Sequence, residues 1–327
     1  MRTINEHIKT NQFKPVYLIC GEETYLCKQA KDKLKNALSS PDDTMNYSYY
    51  EGKKINLSEV ADLAMTLPFF QEKRLLILEE SGLFKNSPDD MVALISNLPD
   101  TTCMVFVESE VDKRSRLYKA VQKYGYVANL NTPDEKTLMV WISSILKQEK
   151  KQIKESVLRY FLERTGTDME HVKQELDKLC AYTLDREEIT MEDVQAITTQ
   201  ITTSKIFDML EAIVKGNQQV AIDYYYDLLA LKEPPMRILS LLVRQFNLIL
   251  QITQMDNRSI PRSEIARQVS IPSFVVGKYL EQGRRYNRQS LEEILLKCAD
   301  MEEAVKTGKM TDVIAVELLI IAFSNQR

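Results

Sequence analysis

The sequence predicts an α/β domain with a parallel sheet, followed by an all-α region that continues to the C-terminus. Within the first 131 residues, short runs that are apolar at every position alternate with amphipathic stretches. Such runs are typical of strands buried on both faces, as in a parallel sheet. Beyond residue 132 the apolar residues recur with helical spacing, and no further strands are predicted. Glycine and proline are scarce, at 9 and 10 residues of 327, which favours long helices.

Predicted strands and helices follow one another in the first region. The strands are expected at 16–20, 46–50, 75–78, 104–107 and 126–130. Helices are expected at about 25–38 and 115–124. A further helix is predicted between the second and third strands, with Ser58 as its N-cap. Its buried face is expected to contain Val60, Leu63, Ala64 and Leu67.

The region after residue 132 divides into two predicted helical bundles, so we expect domains at 1–131, 132–203 and 204–327. In the second domain, Thr167 and Glu170 are predicted to form a capping box. The helix that follows has an apolar face formed by Val172, Leu176 and Leu179. In the third domain, the stretch at 238–249 is apolar over most of its helical surface, which predicts the centre of a bundle.

The composition argues against several classes of protein. The formal net charge is −4, so binding to nucleic acid would require a local basic face. The five cysteines are scattered without metal-ligand or redox spacing, which predicts reduced, buried thiols in a cytoplasmic protein. We expect no signal peptide and no membrane partner, because the apolar runs are too short to span a bilayer. His7 and His171 are far apart in sequence, so no catalytic or metal-binding set is expected.

The loop after the first strand is where a P-loop ATPase binds phosphate. Such a loop has the pattern G-x-x-x-x-G-K-[ST], whose backbone N–H groups, lysine and hydroxyl bind the phosphates and Mg²⁺. Here residues 21–26 read GEETYL, without the second glycine and the lysine. Glu79 and Glu80 follow the third strand, where these ATPases place Mg²⁺ ligands, but they would have no nucleotide to serve. We therefore predict a P-loop-like domain without nucleotide or metal cofactor, in which this loop is a tight turn.

The most informative segment reads MTLPFF and begins at Met65. Pro68 disfavours helical geometry at Leu67, so the preceding helix should end there. Met65 lies opposite the buried helix face, and Phe69 and Phe70 are adjacent in a non-helical stretch. One interpretation is an exposed apolar protrusion that marks a partner site. The other is a loop that folds back and buries all of these side chains.

The segment near 263–282 resembles a helix-turn-helix DNA-binding motif. Its turn lacks the usual glycine, and the segment is embedded in the predicted third bundle. It therefore allows two interpretations: a nucleic-acid-binding regulator that uses this segment, or ordinary packing of two helices.

Several segments, taken in order, resemble the delta-subunit family of bacterial DNA polymerase III, whose members belong to the clamp loader. Each segment alone is weakly specific, but their order and spacing cover essentially the whole chain. They are 15–23, 67–70 with 73–75, 166–168 with 175–179, 206–208 with 216–217, 235–246, and 302–308. The resemblance implies an AAA+-like first domain that binds no nucleotide, a helical lid domain and a helical collar domain.

The resemblance also implies partners. It suggests a non-catalytic subunit that binds the sliding clamp and opens its ring for loading onto primed DNA, in a pentamer with the gamma or tau and delta prime subunits. By position, the apolar tip that enters a pocket on the clamp corresponds to Met65, Leu67, Phe69 and Phe70. Either phenylalanine could be the deeper anchor. Candidates for a weak DNA contact in the assembled loader, or for plain surface charge, are Arg284, Arg285, Lys306 and Lys309. A degenerate ATPase is the remaining alternative.

Overall fold

The computed structural model describes residues 1–40, 43–199 and 202–325. These residues divide into two compact units, 1–133 and 134–327. The first boundary lies close to the predicted end of the first domain at residue 131. The predicted second and third domains fall together in the second unit, so their separation stays a prediction.

The first unit is built on a parallel sheet. Its strands are β1 (Val16–Cys20), β2 (Tyr47–Glu51), β3 (Arg74–Glu79), β4 (Thr102–Glu108) and β5 (Tyr126–Asn129). In the described residues they form one sheet in the order β2-β3-β4-β1-β5, and each neighbouring pair is parallel. Successive side chains of β1, β3 and β4 enter two hydrophobic clusters, one on each face. This burial on both sides explains why the runs are apolar at every position.

Helices cover both faces of this sheet. They are α1 (Arg2–Thr10), α2 (Thr24–Leu38), α3 (Leu57–Met65), α4 (Leu83–Asn86), α5 (Asp89–Ser96) and α6 (Arg116–Tyr124). The sequence predicts α2, α3 and α6 but misses α1, α4 and α5. Within α1, Ile4 is the one fully buried residue, and it belongs to one of the two hydrophobic clusters. The predicted cap of α3 is wrong: the helix begins after Asn56, and Ser58 already lies inside it.

The second unit is mainly helical. Its helices are α7 (Glu135–Gln148), α8 (Glu155–Thr165), α9 (Met169–Tyr182), α10 (Met191–Ile197), α11 (Thr202–Lys215), α12 (Gln218–Ala230), α13 (Pro235–Asn257), α14 (Arg262–Gln268), α15 (Ser273–Gly283), α16 (Arg288–Lys306) and α17 (Asp312–Ser324). A short parallel pair, β6 (Gln152–Ile153) with β7 (Glu188–Ile189), corrects the prediction that strands end at residue 132. Two-residue strands are too short to leave a periodic signal in the sequence.

The start of α9 differs from the predicted capping box. Asp168 is the N-cap, and its carboxylate accepts the backbone N–H of His171 at 2.8 Å. Gly166 ends α8 with a φ of 78°, so the chain enters α9 one residue later than Thr167 and Glu170 would require. The predicted apolar face of α9 is confirmed, since Val172, Leu176 and Leu179 are fully buried.

Helix α13 is the centre of the C-terminal bundle, as predicted. It begins at Pro235, where the missing N–H is no loss, and buries residues along its whole length. Helix α11 begins at Thr202, so the predicted domain boundary at 203/204 falls just inside a helix. Helix α17 is apolar at most of its positions and leaves Ile314 and Leu318 exposed.

The buried cysteines match the sequence-based expectation. All five thiols are buried and unpaired. Burial raises the pKa of the Cys103 thiol to about 12, so it stays protonated near neutral pH. Among the described residues, no helix combines the length and apolar character needed to span a membrane.

Candidate protein-binding site

The segment after α3 leaves four large apolar side chains in solvent. The exposed fraction is 53% for Met65, 72% for Leu67, 55% for Phe69 and 91% for Phe70. We call these four residues the tip. A cluster of exposed apolar and aromatic side chains is typical of a surface that binds another protein. The alternative interpretation, a loop that folds back and buries these side chains, is therefore wrong.

Leu67 does not lie on the buried face of α3, which corrects the sequence prediction. Helix α3 has ended by Thr66, whose backbone angles are extended, with φ −84° and ψ 134°. The turn directs Leu67 away from the face formed by Val60 and Ala64, both of which are fully buried. Pro68 keeps the chain from returning to helical geometry at Leu67, because the α region is disfavoured for a residue that precedes proline.

A buried arginine holds the main chain of the tip segment. Arg74 is the first residue of β3 and is only 5% exposed. Its guanidinium donates to the carbonyl oxygens of Thr66 at 3.2 Å, Leu67 at 3.1 Å and Met45 at 2.9 Å. Hydrogen bonds from a charged donor are about twice as strong as neutral ones. Arg74 therefore ties the tip segment to the turn that precedes β2.

Asn46 provides a second anchor and is 3% exposed. Its Oδ1 accepts the backbone N–H of Phe69 at 2.6 Å, and its Nδ2 donates to the Phe69 carbonyl oxygen at 2.9 Å. Asp43 fixes this turn by accepting the backbone N–H groups of Asn46 at 2.8 Å and Met45 at 3.1 Å. The hydrogen bond from the Asn46 backbone is the main cause that lowers the pKa of Asp43, and the charge of Arg74 acts in the same direction.

The two phenylalanines form one continuous apolar surface. Their rings meet edge to face, with centroids 4.5 Å apart. Phe70 has a φ of +50°, a left-handed conformation that is rare for a bulky residue and persists only where surrounding contacts impose it. Met45 is 61% exposed, and its carbonyl shares Arg74 with the tip segment. Met45 was not predicted from the sequence, because it lies in a short irregular turn without periodicity.

The loop after β1 supports the tight-turn interpretation. Gly21 has a φ of +142°, and a Cβ atom there would lie 2.1 Å from the Leu130 carbonyl oxygen. The glycine is thus required by close approach of the chain to itself. Glu23 is the N-cap of α2, and its carboxylate accepts the backbone N–H of Tyr25. This carboxylate occupies the helix N-terminus, where a phosphate would bind in a P-loop protein.

The two carboxylates at the end of β3 are also engaged within the fold. Lys31 lies 2.6 Å from the Glu79 carboxylate, to which the Tyr49 hydroxyl donates at 2.8 Å. Glu80 accepts hydrogen bonds from the backbone N–H and the hydroxyl of Ser109, each at 2.8 Å. Within residues 1–40, 43–199 and 202–325, no group of three or more histidine, cysteine or acidic side chains has metal-binding geometry.

The helix-turn-helix look-alike corresponds to α14 and α15. Three of the α15 side chains are buried in the bundle: Val276, Tyr279 and Leu280. Lys278 forms an ion pair with Glu163 at 2.6 Å, and the Ser273 hydroxyl donates to Glu135 at 2.7 Å. The polar side of α15 therefore meets carboxylates, which would repel a DNA backbone. These contacts favour ordinary helix packing.

The structure does not bring the four candidate DNA-contact residues together. Arg284 and Arg285 precede α16, whereas Lys306 and Lys309 lie at its far end. This helix has 19 residues and is about 28 Å long. Arg285 donates to a backbone carbonyl at the end of α11 at 3.1 Å, and Lys306 forms an ion pair within α16 at 2.6 Å. Arg284 and Lys309 are exposed.

Two family profiles match the chain. The family described as "DNA polymerase III, delta subunit" matches residues 17–131. The family described as "DNA polymerase III delta subunit, C-terminal domain" matches residues 203–323. Together these matches include the tip and most of the C-terminal bundle.

Individual relatives agree with these matches. The chain is 26% identical to DNA polymerase III subunit delta of Bacillus subtilis (strain 168), over 96% of this chain and 94% of the relative. It is 19% identical to the probable DNA polymerase III subunit delta of Aquifex aeolicus (strain VF5), over 90% and 88% of the two chains. The solved structure of the Bacillus subtilis DNA clamp loader delta protein has the same fold, with a TM-score of 0.70 at 24% identity over 99% of each chain.

Proposed function

Since this chain belongs to the DNA polymerase III delta subunit family, we propose that it binds the sliding clamp and opens its ring for loading onto primed DNA. The observation that supports this most directly is the tip, which presents four exposed apolar side chains on a hydrogen-bonded main chain. In this proposal the tip enters an apolar pocket of the clamp, and its aromatic pair provides the central anchors.

Ring opening then requires no chemistry in this subunit. A closed clamp is held by its own subunit interfaces. A partner that binds the open form more tightly shifts the population towards that form, by no more than its differential affinity. ATP binding by neighbouring subunits would determine when the tip is presented to the clamp.

We also propose that this subunit neither binds nor hydrolyses nucleotide. The carboxylate of Glu23 caps the helix that would otherwise bind phosphate, and Glu79 and Glu80 are both hydrogen-bonded within the fold. The AAA+-like domain is then a scaffold that presents the tip.

The C-terminal bundle is proposed to join the other loader subunits, gamma or tau and delta prime, in a cytoplasmic pentamer. Residues 132–203 would form the lid and 204–327 the collar. Helix α17 supports this assignment, because its large apolar side chains Ile314 and Leu318 are exposed and would be covered by a partner subunit. The regulator alternative based on 263–282 is less well supported, since the Lys278 and Ser273 side chains contact acidic residues.

The proposal is tested by comparing two forms of the clamp on a surface plasmon resonance chip. One is the intact ring, and the other is a variant whose subunit interface is weakened by substitution. The full-length chain should bind both forms, and should bind the weakened form more tightly because less energy is spent on opening. Failure to bind either form would contradict the proposal. Equal affinities for the two forms would show that the chain binds the clamp but does not open its ring.

A further inference from the structure

We infer that Asn46 and Arg74 are positioning residues for the tip: they hold its main chain in the binding conformation before the clamp arrives. We call these two residues the frame. The inference rests on the proposed function, because it concerns how the same surface reaches its affinity. It adds two buried residues to a site that is otherwise made of exposed apolar side chains.

The hydrogen bonds from the frame to the tip segment all go to main-chain atoms. Arg74 donates to the carbonyl oxygens of Thr66 and Leu67, and Asn46 binds both the N–H and the carbonyl of Phe69. Four backbone groups within four consecutive residues are thus fixed, in a stretch that is neither helix nor strand. An irregular segment without such bonds would lose its conformational freedom on binding, and affinity would fall accordingly.

Burial separates this role from direct contact with a partner. Asn46 is 3% exposed and Arg74 is 5% exposed, so neither side chain can contribute surface to an interface. Any effect of these residues on clamp affinity must therefore pass through the exposed residues whose main chain they hold. The backbone of Phe70 supports the same conclusion. Its left-handed conformation is unfavourable for a phenylalanine and persists only where neighbouring residues are held in place. The residue before it, Phe69, is held by two hydrogen bonds from Asn46.

The frame also joins the tip to the turn before β2, where Met45 is exposed. Arg74 binds the Met45 carbonyl with the same guanidinium that binds the tip segment, and Asp43 orders the turn through its bonds to Met45 and Asn46. The geometry therefore makes Met45 a fifth apolar contact beside the four tip residues.

The test is a double-mutant cycle on clamp affinity, measured with the full-length chain and the immobilised intact clamp. Asn46→Ala should weaken binding about tenfold, and Phe69→Ala about thirtyfold. Because Asn46 acts through Phe69, the combined variant should lose well under the roughly 300-fold product that independent effects would give. Asn129→Ala, an exposed asparagine on β5 at the other edge of the sheet, is the matched control and should bind like the parent.

A second measurement does not need the clamp. In the free protein, the backbone ¹⁵N order parameters of Leu67 and Phe70 should be close to about 0.85 in the parent and fall below about 0.6 in Asn46→Ala. Arg74→Lys keeps the charge but cannot donate to all three carbonyls, so it should lower the same order parameters. It replaces Asn46→Ala as the test variant if Asn46→Ala folds poorly.

The outcomes separate the two claims. If the parent does not bind the clamp, the proposed function fails, and the order parameters still decide whether the frame orders the tip. If the parent binds and Asn46→Ala binds equally well, or if the losses multiply to the full product, the positioning role is overturned. Unchanged order parameters in both variants would overturn it as well.

Discussion

The carboxylate of Glu23 accepts a hydrogen bond from the backbone N–H of Tyr25 at 3.2 Å, at the N-terminus of α2. The positive end of this helix dipole is therefore already neutralised by the chain itself. In a P-loop protein the same helix end binds the phosphates of a nucleotide. Here the loop lacks the lysine that phosphate binding requires, and the N–H of Tyr25 is already bonded to the Glu23 carboxylate.

We expect the isolated chain to show no saturable binding of Mg·ATP and no ATPase activity. The carboxylates of the turn repel phosphates, and the P-loop lysine that would offset the phosphate charge is absent. Isothermal titration at high protein concentration checks this, and saturable binding at micromolar ATP would contradict it. Removing the Glu23 carboxylate in Glu23→Gln should not create binding, because the lysine would still be missing.

The double variant Leu67→Ala with Phe69→Ala should nearly abolish clamp binding and leave the fold intact. A buried aromatic anchor typically costs about 2 kcal/mol or more when cut to alanine, which is roughly a thirtyfold loss of affinity. Both side chains are more than half exposed, so the thermal melt should stay close to that of the parent. Leu184→Ala removes an equally exposed leucine, at 80%, from the second unit and is the matched control. A folded double variant with parental affinity would place the contact elsewhere.

The turn that supports the tip should loosen in acid. The pKa of Asp43 is lowered in the folded protein, chiefly by the hydrogen bond from the Asn46 backbone. A lowered pKa means that Asp43 stabilises the fold above the pKa of the unfolded chain, and that this contribution is lost as pH falls through the folded value. The amide NMR signals of Met45 and Asn46 should therefore titrate together with a midpoint below about 3.9. A midpoint above that value would show that the carboxylate is not held as described, and Asp43→Asn should remove the transition.

The C-terminal bundle should assemble with the other loader subunits without the first unit. Its core is self-contained around α13, so we expect a fragment of residues 204–327 to co-elute with those subunits on size exclusion. A fragment of residues 134–327 should be the more stable of the two, because it keeps all of α11 and the ion pair between Lys278 and Glu163. A fragment that folds but elutes alone would count against the collar assignment.

DNA binding by the isolated chain should be weak and sensitive to salt. The net charge is −4, and the four basic candidates lie at opposite ends of α16, so only non-specific affinity of about 10⁻⁴ to 10⁻⁶ M is expected. Replacing Arg284 and Arg285 with alanine should reduce the slope of log K against log salt by up to about two in the assembled loader. Fluorescence anisotropy over a salt series measures this. Tight, sequence-specific binding by the isolated chain would instead favour the helix-turn-helix interpretation.

The fold was easier to predict than the support of the tip, for a physical reason. A strand buried on both faces must be apolar at each position, so the signal lies within five or six consecutive residues. Pro68 likewise acts on its immediate neighbour. Asn46 and Phe69, by contrast, are 23 residues apart, and Met45 and Arg74 are 29 apart. The sequence does not distinguish this asparagine and this arginine from polar residues in solvent, because their partners in the tip segment are backbone atoms that only the folded chain brings near.

Within the tip segment, Arg74 and Asn46 bond to backbone atoms, and this has a consequence for how binding specificity can change. Because a carbonyl or an N–H is the same whichever amino acid bears it, the side chains at positions 65, 67, 69 and 70 can be exchanged without altering what supports them. The segment is thus a recognition element whose side chains can be exchanged while its main-chain support is kept. Clamps whose pockets differ could be matched by substitutions at these four positions, and a recognition sequence for another target could be grafted onto the same support.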